Sequence, residues 1–178
     1  MLKTDHQAVD DVFAKFEAAG SRARKTKQKL VARMVDLLSI HAAIEEQIFY
    51  PAVRAAAPEL NDEILEGIEE HHVVKWTLSE LEDLPPDAEN YDAKVTVLIE
   101  SVRHHVEEEE KEVFPGVRKA FTREELDDLG DTLTAAKKTA PTRPHPRTPS
   151  NPPGNVVAGA VTGILDKARD AGAAVLDR

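Results

Sequence analysis

Residues 104–115 read HHVEEEEKEVFP and residues 41–51 read HAAIEEQIFYP. Each holds a histidine, a glutamate four places on, then an aromatic residue and a proline. Residues four apart differ by about 40° around an α-helix and about 6 Å along it, so His41 with Glu45, and His105 with Glu109, project to one side. Steps of three and four from these pairs lead to apolar residues. Leu30, Met34, Leu37 and Ile48 share the row of His41 and Glu45, and Val95, Leu98, Val102 and Val113 that of His105 and Glu109. Two other stretches follow the same rule, with His6 ahead of Val9, Phe13 and Phe16, and His71 among Ile64, Ile68, Val74, Leu78 and Leu81. Four amphipathic helices are therefore expected, near 4–19, 22–57, 61–84 and 91–114, each turning a histidine inward.

Connections this short make neighbouring helices antiparallel, giving an all-α, up-down-up-down four-helix bundle. Strand-like alternation is absent. Thr4 with Gln7 forms a potential capping box, Gly20 is a suitable stop, Pro51 is placed to kink or end the second helix, and Pro85–Pro86 break the third. An extra C-terminal helix should follow Thr122 and Glu125, a second capping box. Six of the eleven prolines lie in APTRPHPRTPSNPPG, residues 140–154, the mark of an extended linker or of a segment ordered only by contact. The chain thus divides into a bundle with its flanking helix (1–139), a Pro-rich linker (140–154) and a small-residue helical segment (155–178) suited to docking or self-contact rather than membrane anchoring.

The net charge of −10 disfavours nucleic acid and anionic membranes as partners. The one basic run, SRARKTKQK at 21–29, has no interleaved aromatics and reads as a solvated helical turn. VVAGAVTGIL is too short to span a bilayer and MLKTDHQAVDD too polar for a secretory signal, so the cytoplasm is the expected location. With no cysteine, thiolate catalysis and thiolate metal ligands are excluded.

Four histidines and two glutamates on the inner faces would cost several kcal/mol each if left unpaired. Coordination removes that cost. The set is too large for one tetrahedral zinc and suits two metals that share two bridging carboxylates. Imidazole and carboxylate without thiolate favour iron or manganese, with zinc in competition. Two ferric ions, an oxo bridge and two glutamates leave a small positive charge that an acidic protein offsets. His6 maps onto His71, His41 onto His105, Glu45 onto Glu109 and Pro51 onto Pro115, at offsets of 64 or 65 residues. Two related helix pairs about a pseudo-twofold axis would place one metal near each histidine pair.

With DHQAV, HAAIEEQIFYP, EEHHVV and HVEEEEKEVFP in that order, the sequence over about residues 4–120 resembles the hemerythrin-like, or HHE cation-binding, family. The resemblance implies a four-helix bundle holding two non-haem, oxo- or hydroxo-bridged iron ions, with His6, His41, His71 and His105 as terminal ligands and Glu45 and Glu109 as bridges. Oxygen-carrying members have a fifth histidine one turn after the third-helix ligand and HxxxxD on the last helix, whereas here Lys75 and HxxxE stand in those places. The pattern is closer to relatives implicated in iron or oxygen sensing, or in handling peroxide and nitric oxide. The leading expectation is a protein that binds or senses dioxygen or a related oxidant, in a site walled by Ile44, Ile48, Val74, Val102 and Val113. The alternatives are a di-iron enzyme that decomposes hydrogen peroxide or handles nitric oxide, and an iron-gated interaction module working through the C-terminal segment. His72 and His104, about 100° from the ligands beside them, are expected at the surface with Glu107, Glu108 and Glu112. Glu46 and Glu110 are open between solvent and support of a ligand. Trp76, Phe49 and Phe114 are expected in the core, and His145 in unstructured chain.

Overall fold

A computed structural model describes residues 1–149 together with 154–155, 159, 162–167 and 169–170. Four rods form its body: α1 (Leu2–Ala18), α2 (Arg24–Ile44) running on into α3 (Tyr50–Ala56), α4 (Asn61–Asp83), and α5 (Tyr91–Glu108) running on into α6 (Phe114–Ala120). α1 packs on α2, α2 on α4, α4 on α5, and α5 returns to α1, the closed ring of an antiparallel bundle. No strand occurs among the described residues.

α1 begins at Leu2, ahead of the cap expected at Thr4. The amides of Thr4 and Asp5 donate to the Met1 carbonyl at 2.8 and 3.2 Å, so the backbone itself supplies the first turn. Neither Pro51 nor Pro115 ends its rod. In place of a kink, Glu45–Phe49 and Glu109–Val113 wind as π-helix, and the amides of Tyr50 and Phe114 donate to the carbonyls of Glu45 and Glu109, five residues back. The next residue in each case is the proline, which has no N–H to give and would crowd a tighter turn. The wider turn accommodates it, and the rods continue to Ala56 and Ala120.

The core-facing residues of α4 and α5 are those expected from their periodicity, but α2 is rotated. Val31, Met34, Val35 and Leu38 are buried, whereas Leu30, Leu37 and Ile48 are only half-buried, because α2 must meet α1 on one flank and α4 on the other. Lys27, within the basic run, is buried rather than solvated. Its Nζ lies 2.5 Å from Asp92 and 5.0 Å from the Phe16 ring centre, which compensates the charge.

Beyond the bundle, α7 (Arg123–Lys137) starts at the expected capping box. The Glu125 amide donates to Thr122 Oγ1 at 3.3 Å and the Thr122 amide to Glu125 Oε2 at 2.8 Å. α7 lies against α2 and its π segment through the buried Leu133. The start of the Pro-rich stretch is ordered by contact: Arg143 pairs with Glu82 and Asp170, each at 2.8 Å, while the amides of Thr142 and Arg143 both donate to Asp166 Oδ2 at 3.1 Å. His145, expected to be unstructured, is fixed by the same carboxylate, with Nε2 2.9 Å from Asp166 Oδ2 and a left-handed φ of 41°. The described residues of the expected segment 155–178 are helical, and the others lie outside the described residues. No helix among the described residues is long and apolar enough to cross a membrane.

Candidate metal centre

A polar layer crosses the bundle between two apolar clusters, and each rod changes cluster at its histidine. His6 stands between Leu2 and Val9, His41 between Leu38 and Ile44, His71 between Ile68 and Val74, and His105 between Val102 and Val113, one neighbour in each pair belonging to either cluster. The apolar walls therefore come from both sides, Val74 and Val102 from one cluster and Ile44 and Val113 from the other, with Ile48 only half-buried. Glu45 and Glu109 open the two π segments, where the extra residue per turn resets which side chains face inward. All six polar residues are at most 5% exposed.

The fold brings these six residues together. Glu45 Oε2 lies 3.2 Å from His41 Nε2 and 3.5 Å from His71 Nε2. Glu109 Oε2 lies 3.4 Å from His6 Nε2 and 4.0 Å from His105 Nε2. His71 Nε2 and His105 Nε2 are 3.1 Å apart. Donor atoms within 4.8 Å of one another form two groups, His6, His41, Glu45 and Glu109 in one, and Glu45, His71 and His105 in the other. Glu45 belongs to both, and each group holds the histidines of one half of the repeat.

Bonding within the layer is incomplete. His6 Nε2, His41 Nε2, both oxygens of Glu45 and Glu109 Oε2 are buried without a hydrogen-bond partner. Each such atom costs about 1–3 kcal/mol, so the layer does not stabilise itself as a polar network. Converging nitrogen and oxygen lone pairs are what a metal cation requires, and the donor set fits one. Burial, with the nearby His6, pushes His41 far below the usual imidazole range, toward the neutral form a ligand needs. Burial and the Glu109 and Asp5 carboxylates push Glu45 far up, a destabilisation of its charge that a bound cation reverses. Burial opposes the charge of Glu109 too, but His6 and His105 outweigh it and hold that carboxyl low.

The outer faces of the imidazoles meet a ring of carboxylates. His6 Nδ1 is 3.0 Å from Glu110, His71 Nδ1 3.2 Å from Glu46, and His105 Nδ1 2.7 Å from Glu70, while His41 Nδ1 lies 3.9 Å from Asp5, beyond bonding range. A carboxylate at Nδ1 fixes ring orientation and leaves Nε2 pointing inward. Lysines brace three of the four: Lys3 to Glu110 at 2.7 Å, Lys137 to Asp5 at 2.5 Å, and Lys75 to both oxygens of Glu46 at 2.8 and 2.9 Å. Glu46 and Glu110 thus each hold a histidine of the layer, and Lys75, one turn after His71, binds Glu46 rather than facing the layer. Burial opposes the charge on Glu46, but the bond to His71 and the Lys75 ammonium outweigh it and hold the carboxyl low.

Tyr50 also joins the layer, and the sequence reading did not single it out. Its hydroxyl donates to Glu109 Oε1 at 3.0 Å and lies 3.5 Å from His71 Nε2. Burial and the Glu109 and Glu45 carboxylates push the phenol far up, so it keeps its proton. The available signal was a break in the repeat, because Tyr50 aligns with Phe114, whose ring stacks on His6 at 5.7 Å. Gly67 makes room, since a Cβ there would lie 3.1 Å from the Tyr50 oxygen and 3.3 Å from His105 Cε1.

Phe49 and Phe114 are buried as expected. Trp76 is instead 40% exposed, at the rim of α4, and its Nε1 donates to His72 Nε2 at 3.0 Å. His104 is exposed beside Glu108. A groove of about 550 Å³ between α1 and α5 runs past His6, with Val9, Phe13, Val102 and Val106 on its floor and Lys3, Arg103 and Lys111 at its edge.

The hemerythrin HHE cation binding domain matches residues 1–117. An uncharacterised hemerythrin-like protein of Schizosaccharomyces pombe is 28% identical over 167 residues, 93% of this chain and 81% of that protein. A DNA nickase of Nostoc sp. is 25% identical over 137 residues, 77% of this chain but 38% of the nickase. The crystal structure of a hemerythrin HHE cation binding domain-containing protein from Mycobacterium kansasii superimposes with a TM-score of 0.65 at 26% identity, over 77% of this chain and 82% of that one.

Proposed function

Because the chain belongs to the hemerythrin HHE cation-binding family, we propose that its polar layer holds two iron ions and that the protein binds or senses dioxygen or a related small oxidant. His6 and His41 would serve one iron, His71 and His105 the other, and Glu45 and Glu109 both. The observation that carries this reading is the set of buried donor atoms without partners, all nitrogen or oxygen, in a chain without cysteine. When bound, the irons supply redox capacity and Lewis acidity toward dioxygen, peroxide or nitric oxide. The chain does the rest. Its apolar clusters keep water from the layer, the outer carboxylates orient the imidazoles, and the groove beside His6 admits a small molecule.

Tyr50 favours a second reading, an enzyme that decomposes peroxide. The Tyr50 hydroxyl donates to Glu109 Oε1 at 3.0 Å, so it tunes how strongly that carboxylate would hold a metal, and such tuning bears on turnover more than on simple binding. The test is to add dioxygen, and separately peroxide, to the reduced iron-loaded protein and to follow absorption and oxygen release. A reversible absorption change with dioxygen is expected for binding. Rapid oxygen evolution from peroxide that slows in Tyr50→Phe supports the enzyme. No response to either contradicts both.

A further inference from the structure

His104 is the histidine of HHVEEEEKEVFP that the inner layer leaves unused. It sits about 100° around α5 from His105, with its side chain 63% exposed and Nε2 3.4 Å from Glu108 Oε1. Glu70 reaches the same place from α4, and one donor atom of each of Glu70, His104 and Glu108 lies within 4.8 Å of the other two. We propose that these three residues form a separate, weaker site for a divalent first-row metal ion, from which the inner centre is loaded. The binding site stands on its own residues. Its loading role rests on the inner centre proposed above.

An imidazole and two carboxylates from two rods make an open three-ligand site that water completes, suited to ferrous or manganous ion. Two independent features connect it to the interior. Glu70 is shared, because its Oε2 lies 2.7 Å from His105 Nδ1, so an ion held outside is one carboxylate away from an inner imidazole. A cavity of about 40 Å³, room for roughly one water, also lies between the two places, with Glu70 and Glu108 at the outer end and His105 and Glu109 at the inner end. Glu109, 3% exposed, lines the inner end of that cavity, and its unpartnered Oε2 belongs to the inner donor group beyond it. Glu63, Glu66 and Glu112 surround the mouth, and no lysine or arginine is among the described residues that line it. A cleft of one charge sign concentrates the opposite ion and speeds its arrival.

The test uses the full chain stripped of metal and the double variant His104→Ala/Glu108→Gln, which leaves the six inner residues in place. Manganous ion, followed by its spin resonance signal, should bind the wild type at a weak site that is weakened about tenfold or more in the variant. Anaerobic ferrous uptake into the inner layer should slow by about threefold to tenfold, with the final inner load unchanged. Loss of the weak site without slower uptake would overturn the loading role. A variant that keeps both the weak site and the wild-type rate would overturn the proposal, as would one whose final inner load also falls. Glu45→Ala reports the inner layer separately, so a wild type that binds the weak ion and takes up no inner iron contradicts the di-iron reading and leaves the outer site standing.

Discussion

At the scale of single residues, the layer depends on atoms whose partners lie one contact outside it. Tyr50→Phe removes the hydroxyl that donates to Glu109 Oε1. A buried bond to a charged group is worth about 1.5–3 kcal/mol, so the metal-free variant should unfold at lower denaturant by about that much, with an unchanged slope. An unchanged midpoint would mean that the phenol does not hold Glu109. Lys75→Met leaves Glu46 buried without its ammonium. Breaking a buried ion pair costs about 3–5 kcal/mol, and Glu46 would rise toward protonation and release its hold on His71. The expected outcome is lower stability together with weaker metal retention, read by chelator competition. Loss of stability with wild-type retention would confine Lys75 to a packing role.

At the scale of elements, the rods are set by periodicity and the layer by where that periodicity is interrupted. Thr122→Ala should lower the unfolding midpoint by about 1 kcal/mol, because it removes the Oγ1 that caps α7; no change would mean that α7 unfolds independently of the bundle. The bundle and its capping box were legible from the spacing of apolar residues and from short local motifs. So was the convergence of His6, His41, Glu45, His71, His105 and Glu109, because one inward histidine per helix leaves few other arrangements. Three features were not legible. The π segments depend on how a helix absorbs a proline inside a packed rod, which spacing alone does not specify. The rotation of α2 reflects contacts with α1 and α4 that no single helix encodes. Tyr50 was not seen, and Glu46 and Glu110 stayed open between solvent and support, because their role lies in contacts between rods: Glu46 meets a residue of α4, Glu110 one of α1, and Tyr50 one of the second π segment.

At the scale of the whole molecule, the protein buries a layer of titratable groups, several of whose donor atoms lack partners. Burial lowers His41 and His71 below the ordinary 6.5, whereas the Glu70 bond outweighs burial and raises His105. A lowered histidine contributes stability above about pH 6.5 that is lost as pH falls, because the unfolded chain then binds a proton that the folded one refuses; a raised one acts oppositely. Glu45, pushed far up, acts with the raised histidine, because the folded chain takes a proton there that the unfolded chain refuses. With that carboxyl removed, two lowered histidines face one raised, so metal-free Glu45→Gln should lose stability as pH falls from about 7.5 to about 5.5, seen as a falling urea midpoint, and a rising midpoint would contradict this balance. The central claim, that six residues from four rods form one two-metal centre, is tested most directly by metal analysis after anaerobic iron loading of the stripped full chain, alongside Glu45→Ala and Glu109→Ala. Two irons per chain in the wild type, with loss of iron in both variants, is the expected result. One zinc with no iron uptake, or wild-type iron in both variants, would contradict it.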